Sequence, residues 1–335
     1  MKHLNKIIKL SGVFLVLIGI SCQKDFQLRP SSTQDELDNA IDHGIDGIII
    51  AVNQDNETKL YSAGWNDRKN KVPSNPNSLF KIASISKLYI ATAAVQLIAS
   101  NQLDLNDRLS VMIPETNGKI ENADKITLKM LLQHRSGIPE YIYNPAFIVD
   151  TEESYMSTIS LIYGESSLFK PNKKYSYSNT NYLIIAEIIE RAIGYSHHDY
   201  IDENILNPLN LKNTYHLYSQ VDTNKVMSGY LKGYDHDLKS IEHTRPGGSM
   251  IATASDVSSF LRALIDGTLL SNEEQKLYSQ VYKYEHTGWI HGYTSIARYN
   301  SDIDAVIVQF TNTSDNELFW LKLENIYDRI VKTLY

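Results

Sequence analysis

The stretch Phe80-Lys81-Ile82-Ala83-Ser84-Ile85-Ser86-Lys87 runs without a break into a segment that is apolar nearly all round from Leu88 to Ala99, interrupted by Thr92 and Gln96. A helix with no polar face belongs inside a core rather than on its surface. Ser84 then stands at the positive end of a central helix, with Lys87 one turn later on the same face. An amine carried into a core is partly desolvated, which lowers its pKa and lets it accept a proton from a neighbouring hydroxyl. The spacing alone carries little weight, because Ser-x-x-Lys occurs four times, at Ser21, Ser78, Ser84 and Ser167. Without its context, the pattern reads more readily as an N-cap serine with a lysine reaching back to solvent.

Working outward, Gly47-Ile48-Ile49-Ile50-Ala51-Val52 and Lys59 to Trp65 read as a hairpin across a polar turn from Asn53 to Thr58. A Pro/Asn-rich loop, Val72 to Asn77, separates them from the serine segment. From about 103 to 245 the pattern is mostly helical with loops, and Tyr182 to Ile193 is its clearest amphipathic piece. Ala297 to Tyr299 and Ala305 to Phe310 read as strands around an Asn300-Ser301-Asp302 turn, and Asp315 to Tyr335 as a closing helix. Strands at both ends with helices between them predict an α/β fold. One sheet is built from the two termini, and a mostly helical subdomain is inserted at about 103–245.

With 42% hydrophobic and 21% charged residues over 335 positions, the chain can bury one large or two interleaved cores. A net charge of -7 without a Lys/Arg cluster argues against nucleic acid as a partner. Cys22 is the one cysteine, which excludes an internal disulfide framework and a Cys-based metal site. It follows Lys2, Lys6 and Lys9, an apolar run from Leu10 to Ile20, and Ser21. That order reads as a secretory signal over 1–21 with a lipid-attachment cysteine. The apolar run falls well short of the ~20 residues a membrane span needs. Residues 22–42 read as a polar tether running into a first helix, and 43–335 as the globular domain. His197-His198 reads as solvent-facing helix rather than metal ligands, and no metal or organic cofactor is implied. The 22 tyrosines are scattered and read as interior packing.

Two further segments could carry chemistry. Tyr175-Ser176-Tyr177-Ser178-Asn179-Thr180-Asn181-Tyr182 offers a phenol able to relay a proton and amides able to hold a carbonyl, though it also reads as a polar turn capping the next helix. His286-Thr287-Gly288-Trp289 could place the Trp289 backbone N–H beside that of Ser84 as an oxyanion hole, with His286 donating to substrate. A lone His-Thr-Gly is otherwise an ordinary strand end.

Taken in order, these segments resemble the class C β-lactamase and D-alanyl-D-alanine peptidase family over about residues 47 to 335. Phe80 to Lys87 is similar to its nucleophile segment, Leu131-Leu132-Gln133-His134-Arg135-Ser136-Gly137-Ile138-Pro139 to its Leu-Leu-x-His-x-Ser-Gly-x-Pro segment, and Pro246-Gly247-Gly248 through Ser255 and Asp256 to its Gly-Gly to Ser-x-x-Asp segment. The resemblance implies an antiparallel sheet flanked by helices, an acyl-enzyme on Ser84, proton movement by Lys87 and Tyr177, and a substrate-amide contact from Asn179. It also implies a substrate-binding strand at His286, Thr287, Gly288 and Trp289. Residues 19–22 resemble a bacterial lipobox, with Gly19 where Leu is usual, which leaves signal peptidase I cleavage open.

Two departures matter. The third motif usually begins with Lys, whereas here it begins with His286, and a neutral imidazole attracts a carboxylate less than an ammonium does. Leu270 to His286 is also short, without the Tyr-Gly-x-Gly strand the family commonly places there; Arg245 and Arg298 are the candidates to compensate. The expectation is a lipid-anchored envelope serine hydrolase acting on a small peptide, amide or ester, including peptidoglycan-derived D-amino-acid peptides. The alternatives are a carboxylesterase of the same family and a non-catalytic envelope binding protein.

Overall fold

The apolar run that begins at Gly47 forms the middle of a sheet. The computed structural model describes residues 32–149 and 154–335; the signal and lipid-attachment readings, Cys22 included, lie outside these residues. The strands that matter for the site are β1 (Gly47–Gln54), β2 (Glu57–Asp67), β3 (Glu285–Ile290), β4 (Tyr293–Asn300) and β5 (Ala305–Thr311). The helices are α1 (Thr33–Asp42), α2 (Ser86–Ala99), α3 (Asn179–Ile193), α4 (Ala254–Asp266), α5 (Asn272–Val281) and α6 (Leu318–Lys332). The order across the sheet is Val72–Pro73, β2, β1, β5, β4, β3, with every neighbouring pair antiparallel. The chain's two ends therefore meet at the β1–β5 pair, and β3 is left as an edge.

Why the hairpin forms is visible at its tip. Gln54 pairs with Glu57 across Asp55 and Asn56, both at positive φ (53° and 61°), the twist that joins antiparallel strands in a two-residue turn. β1 is buried on both faces from Gly47 to Val52, which explains a continuous apolar run where a half-exposed strand would alternate. Ile48, Ile50 and Val52 pack with α1 and α6, whereas Ile49 and Ala51 join the larger core around α2 and α4.

α1 corrects the tether reading. Ser32 caps its N-terminus, and Leu37 and Ala40 are buried against α6 and the sheet. Glu36 is buried too, accepting from Arg329 Nη2 at 2.6 Å on α6. Residues from Thr33 onward thus belong to the outer helical layer. Their polar composition hid a short apolar stripe at helical spacing.

α2 runs through the centre, with every side chain from Ser86 to Val95 buried. The pattern predicts a mostly helical segment between it and α4; among the described residues there, α3 and a series of short helical turns are outweighed by loop, and the segment also holds a two-residue strand, Thr214–Tyr215. This strand and Phe80–Lys81 flank Ile251–Ala252 in a small second sheet, which anchors the chain just ahead of Ser84.

Candidate active site at the opening of the central helix

Ser84 sits in a 3-10 turn, Ala83–Ile85, that feeds directly into α2. The turn is pinned from several sides: Ile82 N–H donates to Met250 O at 3.1 Å, Ser86 Oγ donates to Ala83 O at 2.6 Å, and Ser295 Oγ donates to Ile82 O at 3.0 Å. Ala83 is at φ 49°, a left-handed conformation that a residue with a Cβ adopts only when its surroundings impose it. The residue after it is the candidate nucleophile.

Lys87 is fully buried. Its Nζ donates to Ser84 Oγ at 3.1 Å, to Asn179 Oδ1 at 2.8 Å and to Gly247 O at 2.6 Å. Burial drives its pKa down to about 7, against the attraction of the Glu140 carboxylate, so near neutral pH a large share of the amine is free to take a proton. Gly247, at φ 79°, lets its carbonyl come this close; a Cβ there would lie 3.2 Å from Lys87 Cγ and 3.1 Å from Tyr182 Cβ. The other Ser-x-x-Lys pairs within the described residues do not converge. Ser78 Oγ donates to Asn66 and Lys81 Nζ to the carbonyls of Lys239 and Ile241, while Ser167 is bound to Glu121.

Tyr177 completes the group, its hydroxyl donating to Ser84 Oγ at 2.8 Å. Burial pushes the phenol above its ordinary range, so it stays protonated. Its loop is held by the 131–140 segment. Ser176 N–H donates to His134 O at 3.0 Å, Ser178 N–H donates to His134 Nδ1 at 3.2 Å, and the His134 ring lies 4.6 Å from that of Tyr177. Burial, reinforced by Lys87 and His286, lowers the His134 pKa to about 3 and keeps this acceptor neutral. Two residues on, Ser136 Oγ donates to Asn181 Oδ1 at 2.7 Å, locking the segment to the first turn of α3.

Asn179 opens α3, three residues ahead of the predicted amphipathic stretch. Its side chain spans two charged groups, accepting from Lys87 and donating from Nδ2 to Glu140 Oε2 at 3.2 Å. Its backbone N–H also donates to Glu140 Oε2, at 2.5 Å. Glu140 was not among the residues singled out from sequence, and neither was the Gly247 carbonyl; both act through tertiary contacts with Lys87 or Asn179. The nearest signal for Glu140 was its place directly after Ser136-Gly137-Ile138-Pro139.

The edge strand β3 brings His286, Thr287, Gly288 and Trp289 alongside. A Cβ on Gly288 would meet Ile82 O at 2.4 Å and Ala83 Cβ at 3.1 Å, so the strand lies directly against the turn carrying Ser84. Trp289 pairs in register with Thr294 and its side chain is exposed. The His286 ring lies 6.0 Å from Tyr177 and is stacked on Tyr282 at 5.9 Å. Burial and the nearby Lys87 lower its pKa to about 3, leaving a neutral imidazole. Where the family's extra strand would lie, α5 is built instead, capped by reciprocal Ser271 and Glu274 hydrogen bonds. It delivers Tyr282 to the site.

The arginines considered as substitutes are engaged elsewhere. Arg298 makes a two-pronged pair with Glu324 at 2.5 and 2.8 Å, and Arg245 donates to Thr158 Oγ1 at 2.7 Å. His197-His198 departs from the solvent-facing expectation. His197 is buried with its Nδ1 2.7 Å from Glu190, and His198 stacks on His216 at 4.3 Å, where burial lowers the His198 pKa to about 2. The pair sits on a short helix, His197–Ile201, whose packing against the core could not be read from two adjacent polar letters. Among the described residues no cluster of three His, Cys, Asp or Glu side chains is placed to hold a metal.

Beside Tyr177 and His286 opens a cleft of about 540 Å³. A serine at the head of a buried helix, touched by a desolvated lysine and a phenol beside an edge strand, is the site arrangement of a serine-hydrolase fold. The chain belongs to the beta-lactamase family, whose model matches residues 32–283. It is 28% identical over 213 residues to penicillin-binding protein 4* of Bacillus subtilis (strain 168), which covers 61% of this chain and 45% of that protein. It is 26% identical over 315 residues to the putative penicillin-binding protein PbpX of the same strain, covering 87% and 75%. The chain thus spans less than half the length of the first of these relatives. Among solved structures, D-amino acid amidase from Ochrobactrum anthropi SV3, complexed with L-phenylalanine amide, superposes with a TM-score of 0.79 at 25% identity, covering 90% of this chain and 97% of that one. EstCE1, a hydrolase with promiscuous acyltransferase activity, shares the fold at 18% identity and a TM-score of 0.72, covering 89% and 97%.

Proposed function

We propose that this protein transfers acyl groups to water through an ester on Ser84, acting on D-amino-acid peptides, D-alanyl-D-alanine-like, or on related amides and esters. The single observation that carries this is the convergence of Lys87 Nζ and Tyr177 OH on Ser84 Oγ, at 3.1 and 2.8 Å. Lys87 takes the serine proton as Oγ attacks the carbonyl carbon. The backbone N–H groups of Ser84 and Trp289 hold the oxyanion. Tyr177 hands a proton to the departing nitrogen or oxygen and is refilled from the Lys87 ammonium. Water then attacks the acyl-enzyme by the same relay in reverse.

The second reading is a carboxylesterase. A neutral His286 at the third motif favours it, because an imidazole draws a substrate carboxylate less than an ammonium does. The signal over 1–21 and Cys22 motivate the proposal that the protein is lipid-anchored in the bacterial cell envelope, where peptidoglycan fragments are within reach; mass spectrometry of the protein from membranes tests it. For the activity, the test is intact mass after incubation with a fluorescent penicillin, with Ser84→Ala as control, beside rates on a D-Ala-D-Ala peptide, nitrocefin and a short acyl ester. A Ser84-dependent adduct supports the peptidase reading. Ester hydrolysis without an adduct moves it to the esterase. Equal ester rates for the parent and Ser84→Ala remove both.

A further inference from the structure

The cleft beside Tyr177 has a local charge opposite to that of the whole chain, whose formal net charge is -7. Among the described residues, its lining holds the cations Arg135, Lys283 and Arg298 against one acid, Glu285. Such an excess in a concave site draws anionic ligands toward it. The three cations are not equivalent. Arg298 is matched by Glu324 and stands 3.4 Å from Glu285. Lys283 is 3.7 Å from Glu285 and 80% exposed. Arg135 has neutral partners: its Nε donates to Asn172 Oδ1 at 2.8 Å and its Nη2 to Asn172 O at 2.7 Å. Those bonds use two of the five N–H groups of the guanidinium and hold its plane, while no carboxylate among the described residues pairs with its charge.

The lining that Arg135 shares is otherwise rich in aromatic rings. Tyr177 and Tyr282 belong to it together with Tyr175, which is 63% exposed. The imidazoles of His134 and His286 are neutral and add no charge. Ser84 itself is not in the lining, whereas Tyr177, which touches it, is. Tyr177 is the group that hands the departing atom its proton, so the cleft it lines, Arg135 included, adjoins the departing side of the reacting carbonyl.

We propose that this cleft receives the departing half of the substrate, flat or apolar in its middle and carboxylated at its far end, with Arg135 selecting the carboxylate. The inference rests on acyl transfer at Ser84. The Ser84 Oγ–carbon bond forms, the bond from that carbon to the departing oxygen or nitrogen breaks, and the serine proton ends on the departing atom. The group leaves with its carboxylate still against Arg135.

Two aryl acetates test this, 4-acetoxybenzoate and 4-acetoxybenzamide, which share an acyl group and a ring. With rates normalised to spontaneous hydrolysis, the parent favours the carboxylate in kcat/KM by on the order of tenfold, through KM, and added salt erodes the preference. Arg135→Gln brings the ratio near one while sparing the carboxamide, and Arg135→Lys keeps part of it. A ratio of one in the parent overturns the proposal. So does an equal loss on both esters in Arg135→Gln, the result of merely loosening the Asn172 loop. Calorimetric binding of 4-hydroxybenzoate and 4-hydroxybenzamide to Ser84→Ala separates this from the acyl-transfer reading. Tighter binding of the carboxylate, abolished by adding Arg135→Gln, upholds the anion site even if neither ester is hydrolysed. Equal or undetectable binding of both overturns it even if both esters are.

Discussion

Lys87 Nζ stands 3.1 Å from Ser84 Oγ, on a side chain with no exposure to solvent. Nucleophile and proton acceptor are thus in contact before substrate arrives, and the amine's proton is held weakly because water cannot reach its charge. The rate should follow the neutral amine. With the Lys87 pKa at about 7 and the Tyr177 phenol raised above its ordinary range, kcat/KM on a neutral ester should rise through one ionisation near pH 7 and then stay level to about pH 9. A profile flat from pH 5 to 9 would show that Lys87 is not the acceptor.

The same burial has a cost in stability with a definite sign. Between about pH 7 and 10 the unfolded chain keeps the Lys87 proton while the folded chain has released it, so stability rises with pH over that window. Relative to Lys87→Met, the parent should gain roughly 4 kcal/mol from pH 7 to pH 10. Urea melts at unit steps of pH measure this gap, and parallel curves for the two proteins would contradict it.

Glu140 should tune this acceptor rather than touch substrate. Its carboxylate pulls the Lys87 pKa up and accepts both the backbone and side-chain N–H of Asn179. In Glu140→Gln the acid limb of the pH profile should move to lower pH, and the plateau rate should fall by on the order of tenfold as Asn179 loses a charged acceptor. A lower plateau with an unmoved limb would leave Glu140 with packing alone.

α1 should behave as part of the folded domain. Leu37 is fully buried between α6 and the sheet, so Leu37→Ala should lower unfolding free energy by about 2–5 kcal/mol while leaving KM unchanged. Denaturant unfolding of the two proteins decides it; a loss under ~0.5 kcal/mol would return residues 33–42 to the tether.

The fold was legible wherever a local pattern reports burial directly. Gly47 to Val52, Ala305 to Phe310 and the all-apolar turns after Lys87 each announce an interior element, because an element without a polar face has nowhere else to go. Residues 33–42 were assigned to the tether rather than to the domain because the two buried apolar residues of α1, Leu37 and Ala40, among acids and amides do not stand out until α6 is known to cover them. His197 and His198 were misread for the same reason: their letters are polar, and the side chains they contact, Glu190 and His216, come from other segments.

By itself the sequence determined that Ser84 heads a buried helix with Lys87 one turn on, since helical periodicity is a property of neighbouring residues. Only the tertiary structure decided that this lysine is shared among Ser84, Asn179 and the Gly247 carbonyl, that Glu140 stands behind Asn179, and that α5 carries Tyr282 to the cleft. Gly247 lies 160 residues from Lys87 in the chain. Distances between such groups follow from packing over the whole core, and no local pattern encodes them.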